Sequence, residues 1–192
     1  MEMSNNNKNF FILLNAVKIL NNHDLFKGEV RLISVASTDI VSKDQELVLK
    51  VETPLFKGVK SGSFLPLGTA GKLLYMSDKL PKFLNWSLWV LEDDSDVRDT
   101  GKLIADALAS EEFKGIETTL KALLMSNPGA LAAETIVSQA AKLLAGVVMK
   151  NKDDQIGVID TTFIHKIHNI TDFSVSGEAC GDARLAYSLK YI

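Results

Sequence analysis

Residues 10–99 space their apolar side chains as strands do, residues 100–150 space them as helices do, and strand spacing returns after Asp153. That order constrains the fold more than any single motif. Glu46–Glu52 alternates cleanly, with Leu47, Leu49 and Val51 on one face and Glu46, Val48, Lys50 and Glu52 on the other. Phe10–Leu20 and Glu29–Ala36 are further strand runs, and Asn85–Leu91, with two Trp and the β-branched Val90, is the strongest. Asn21-Asn22-His23-Asp24 and Lys27-Gly28 form a turn cluster, and Gly58, Gly62, Pro66, Gly68 and Gly71 mark a loop-rich stretch. Leu103, Ile104, Ala107 and Leu108, then Ile116, Leu120, Leu123 and Leu124, recur at helical spacing up to Pro128-Gly129. Ile136, Ala140, Leu143, Leu144 and Val147 make a third stripe. Gln155–Asp160, Ile170–Val175 and Arg184–Ile192 are short, β-branched or aromatic runs.

No repeat, low-complexity tract or linker divides the chain. The economical reading is one β-domain over residues 10–192, with about three helices inserted at 100–150 between its strands. The expected class is mainly β with an α insertion (α+β).

Composition narrows the function classes. With 192 residues, 46% hydrophobic and 23% charged, the chain can bury a sizeable core. Lys+Arg 21 against Asp+Glu 24 leaves a net charge of -3, which argues against a nucleic-acid-binding face. Cys180 is the single cysteine, so no intramolecular disulfide forms, and it reads as a small buried hydrophobe. The longest apolar runs, Phe10–Val17 and Leu143–Met149, fall far short of the ~20 residues of a transmembrane helix. Met1–Asn9 contains Glu2, Lys8 and four asparagines and lacks the positive start of a secretory signal. The expected location is the cytoplasm, or outside the cell by a non-classical route or within a particle.

The acids are unevenly placed. Glu92, Asp93, Asp94, Asp96 and Asp99 put five carboxylates within eight residues, directly after the strongest strand. Asp153-Asp154 opens the strand that follows the helical block, and Asp24 and Glu29 flank the first turn. Calcium takes 6–8 hard oxygen ligands from such carboxylates, backbone carbonyls and water. The spacing is not that of an EF-hand. The competing reading is solvated turn residues, with Ser95 or Asp99 capping a helix near Gly101. His165 and His168, three apart without a companion Glu or Cys, read as partly exposed surface residues, and His23 as a turn residue or a distant ligand. Trp86 and Trp89 point to opposite faces of a strand, one expected in the core and the other partly exposed. No nucleophile elbow, P-loop or dinucleotide fingerprint occurs, and no enzyme activity is expected.

Asp24-Leu25-Phe26-Lys27-Gly28-Glu29, leading into a strand, resembles the first calcium loop of C2 domains. Trp89-Val90-Leu91-Glu92-Asp93-Asp94, with Asp99 beyond, is similar to their second acidic loop. Asp153-Asp154-Gln155-Ile156-Gly157 and the terminal strand from Gly181 to Tyr191 resemble segments of bacterial C2-like sandwiches. The likeness covers residues 10–36, 84–104 and 151–192. It implies an eight-stranded antiparallel sandwich with calcium or lipid sites at one end. By the resemblance, Asp24, Glu92, Asp94, Asp99 and Asp154 would be metal ligands. Glu92 stands where Asp is usual, and the helical block is larger than in signalling C2 domains.

Two functions follow as expectations. One is a non-catalytic calcium-binding (Ca2+) module that associates with a membrane or a protein partner. The other is a structural or assembly protein of a phage or secretion-type particle, a homo-oligomer formed through the helical insertion without metal.

Overall fold

A computed structural model describes residues 8–23, 28–41, 47–92, 106, 107, 109–112, 114, 115, 118, 119, 122, 146 and 155–192. Its strands are β1 (Phe10–Ile19), β2 (Gly28–Val41), β3 (Leu47–Glu52), β4 (Leu55–Val59), β5 (Lys72–Ser77), β6 (Phe83–Glu92), β7 (Gln155–Ile164), β8 (Asp172–Cys180) and β9 (Ala183–Tyr191). The single complete helix among the described residues is α1 (His165–His168), between β7 and β8. The strands form two antiparallel sheets, one ordered β5-β1-β9-β8 and the other β3-β2-β6-β7, with β4 also on β2.

This corrects the expected eight-stranded sandwich with about three inserted helices. The described chain is mostly β, and its one complete helix is a four-residue turn ended by Asn169 in the left-handed conformation. Single helical contacts do occur in the 106–122 stretch, where the Lys114 amide donates to the Ser110 carbonyl at 3.0 Å. The described residues 106, 107, 109, 111, 112, 114, 115, 118, 119, 122 and 146 are helical, and the rest of the expected insertion lies outside the described residues. The strand count differs for a separate reason. β3 and β4 lie end to end along one edge of β2, interrupted by Thr53-Pro54. The Leu32 amide still donates to the Pro54 carbonyl at 3.0 Å, but proline has no N–H to return, so the edge strand breaks.

β1 explains its own irregular sequence. Phe10, Ile12 and Leu14 face the core, and the register against β9 shifts between Leu14 and Ala16. That bulge resets the phase so that Val17 and Ile19 also point inward. Leu185, Tyr187 and Leu189 of β9 meet Leu84, Trp86, Leu88 and Val90 of β6 in one core. At its centre Trp86 packs edge-on against Tyr187 at 4.7 Å and donates its indole N–H to Ser34 Oγ at 3.0 Å. Phe163 and Phe173 extend the aromatic cluster at 5.2 Å. Burial, then the neighbouring Glu178, raises the Tyr187 phenol above its ordinary pKa. Tyr75 and Thr38 share a buried hydrogen bond of 3.1 Å between the sheets.

Strands from before and after residues 93–154 are direct neighbours. β1 pairs with β9, and β6 pairs with β7. No described helix is long and apolar enough to cross a membrane.

Candidate functional site

The register fixes which chain segments share an end of the sandwich. Val30 lies opposite Glu92, Gly28 opposite Val59, Leu91 opposite Gln155, and Ile19 opposite Ala183. The end of β1, the start of β2, the ends of β4 and β6, the start of β7 and the β8–β9 turn therefore meet at one rim. The chain termini sit at the other end, where Asn9 and Ile192 exchange backbone hydrogen bonds.

Asp182 ties the rim together. Its amide donates to the Ile156 carbonyl at 2.7 Å, and its carbonyl accepts from the Leu20 amide at 2.8 Å. Its carboxylate meets His23 Nε2 at 2.9 Å. One turn residue thus joins β7 of one sheet to the β1 end of the other. His23 has a positive φ of 62°, and its amide donates to Asn21 Oδ1 at 3.1 Å, which turns the chain sharply after β1. Gly181 (φ 64°) and Gly157 allow the close approach, since a side chain at 181 would meet the Ile156 carbonyl oxygen at 2.6 Å.

Asn22 is fully buried beside this turn. Its amide side chain donates to the Val59 carbonyl at 3.0 Å and accepts from Ser61 Oγ at 2.7 Å. Replacing Asn22 by Ala strands both partners, and a buried unpaired polar group costs about 1–3 kcal/mol. The expected result is a urea midpoint lowered accordingly; an unchanged midpoint would show that this contact holds nothing.

Of the five ligands expected from the sequence, Glu92 is the one within the described residues. It ends β6, follows the inward phase of Leu84, Trp86, Leu88 and Val90, and is buried at 7% exposure. Asp24, Asp94, Asp99 and Asp154 lie outside the described residues. In the chain Asp24 directly follows His23 and Asp154 directly precedes Gln155, both rim residues. Among the described residues no three His, Cys, Asp or Glu side chains are grouped closely enough to hold a metal. The described donors at this rim are the Glu92 and Asp182 carboxylates and the His23 imidazole.

Sequence reasoning missed Asp182 and Asn22 as rim residues; the visible signals were the Gly181-Asp182 pair and the Asn21-Asn22-His23 turn. It placed Cys180 correctly in the interior, at 4% exposure. Burial, with Glu178 nearby, pushes that thiol up to about 11, so it stays protonated near neutrality. The pair Trp86 and Trp89 departs from expectation: neither is partly exposed, at 0% and 3% exposure. His168 accepts a hydrogen bond from the Ile164 amide at 2.9 Å and closes α1, a structural role. No protein-family model matches the chain, and no curated protein matches it.

Proposed function

We propose that the protein is a non-catalytic C2-like module whose acidic rim holds calcium and, once loaded, contacts an anionic membrane surface or an acidic protein. The observation that carries this reading is that Glu92, from which the acidic run of the sequence continues, lies at the rim where the ends of β1 and β6, the starts of β2 and β7 and the β8–β9 turn meet. Glu92 would act with Asp24, Asp94, Asp99 and Asp154 as the oxygen donors. Bound calcium would supply positive charge and reverse the local potential toward anionic partners.

Titration calorimetry of the whole chain tests this. Calcium should give a saturable heat, and Glu92→Gln, which keeps the shape and removes the charge, should weaken binding by about tenfold or more, a loss of about 1.4 kcal/mol. Calcium should also be required for sedimentation with phosphatidylserine vesicles. Absence of heat in millimolar calcium would end the metal reading.

A second reading, an assembly protein without metal, is favoured by one surface. Phe11 pairs with Met76 and Leu13 with Leu73 on the outer face of the β5-β1 edge. Met76 is 56% and Leu73 41% exposed, an apolar patch suited to a protein contact. A concentration-dependent mass in solution that Met76→Lys abolishes would support it.

A further inference from the structure

We infer that the outer face of the β1–β9 strand pair, just below the rim, docks on an anionic lipid bilayer, with Lys18 and Arg184 meeting headgroup phosphates and Phe64 entering the interface. Val17, Ile19, Ala183 and Leu185 are buried in the core, so Lys18 and Arg184, each between two of them, point the other way. The two cations lie directly opposite each other, one residue from the rim pair Ile19 and Ala183. Like charges facing each other across a strand pair are unfavourable. No acid relieves them: among the described residues neither side chain is ion-paired. Ala179 stands across from Arg184 on β8, and the Asp182 carboxylate is engaged with His23. An anion arriving between the cations removes their repulsion.

Beside them stands an exposed ring. Phe64 is bridged to Lys18 on the side away from β9, and its ring centroid lies 5.7 Å from the Lys18 ammonium. Its backbone is held on both sides. The Ser63 carbonyl accepts from the Ile19 amide at 2.9 Å, and the Leu65 amide donates to the Val17 carbonyl at 2.9 Å. Leu65 therefore turns inward at 5% exposure, while Phe64 is left 64% exposed. Leu20, next in the alternation of β1, is 40% exposed.

A bilayer supplies what both kinds of side chain lack. Anionic headgroups attract Lys and Arg near the surface, and the acyl boundary beneath them takes up apolar side chains. The flat face of a sheet suits a plane of headgroups, and this face adjoins the rim. A membrane drawn to calcium at the rim would meet Lys18, Arg184 and Phe64 in the same approach. The inference rests on the membrane reading of the proposed function and deepens it, by naming lipid as the partner and the chain's own residues that grip it.

Sedimentation of the whole chain with vesicles of phosphatidylserine and phosphatidylcholine in millimolar calcium tests it. Lys18→Gln together with Arg184→Gln should weaken binding about thirtyfold, and Phe64→Ala about five- to tenfold. The calcium heat and the melting curve of the lipid-free protein should stay as in the parent. Lys82→Gln with Lys166→Gln removes the same charge from exposed positions at the opposite end, where the Lys82 carbonyl accepts from the His165 amide, and should leave binding unchanged. Vesicles of phosphatidylcholine alone should leave the parent in solution. Parent-like binding by the Lys18 and Arg184 variant would overturn the inference, as would an equal loss in the control. Calcium heat without sedimentation would also overturn it, leaving an acidic protein as the partner of the rim. If calcium heat is absent but sedimentation persists and still needs Lys18 and Arg184, the calcium reading falls and this inference stands; with neither, both fall.

Discussion

Replacing Trp86 by Ala is expected to destabilise the protein by about 3–5 kcal/mol, the range for removing a large buried aromatic. Trp86 is fully buried where the sheets meet, so its loss opens a cavity between β6 and β9 and removes the edge-on contact with Tyr187. It also takes away the indole donor to Ser34. For a domain of this size the melting temperature should fall by roughly 6–20 °C. Urea unfolding followed by fluorescence and circular dichroism checks it, with a lower midpoint at unchanged slope. Trp86→Phe should cost less, because a ring remains against Tyr187. An Ala variant as stable as the parent would mean that the two sheets do not share this core.

The second large effect comes from a hydrogen atom. Gly157 lies against Cys180, and an added Cβ would overlap the Cys180 carbonyl oxygen. That oxygen is backbone, and the Asp182 amide bonded to Ile156 pins the adjoining turn at 2.7 Å. Gly157→Ala should therefore cost about 1–3 kcal/mol or more by forcing the β8–β9 turn away from β7. Gly115→Ala is the control. Nothing lies within 4 Å of the position a Cβ would take there, so reduced freedom of the unfolded chain should leave stability unchanged or raise it by about 0.4–1 kcal/mol. Equal midpoints for the Gly157 and Gly115 variants would contradict the close approach of the sheets at the rim.

Strands with dense apolar or alternating sequence were legible. β6 and β9 stand out because Trp, Leu and Tyr recur at strand spacing, and β7 begins where the sequence places it, at Gln155. β4 and β5 were hidden among glycines, since Leu55–Val59 and Lys72–Ser77 are short and bordered by turn residues. In β1 the bulge after Leu14 spoiled the alternation that would have fixed its inner face. Most of residues 100–150, where the periodicity is helical, lie outside the described residues, and those described there are almost all helical. One of Trp86 and Trp89 was read as partly exposed, because alternation along a single strand gives no sign that both of its faces are buried. Of the rim, Glu92 was legible from the run of acids after a buried strand. Asp182 was not, because it acts mainly through its backbone amide and carbonyl, which any residue possesses.

A thermal melt of the whole chain in millimolar calcium and again in chelator tests the central claim most directly, since it asks whether one rim built from distant segments holds a cation. At a calcium concentration a hundredfold above the dissociation constant, the folded state should gain about 2.7 kcal/mol, seen as a melting temperature several degrees higher than in chelator. Glu92→Gln should shrink that gap. Superimposable melting curves in calcium and chelator would contradict the account.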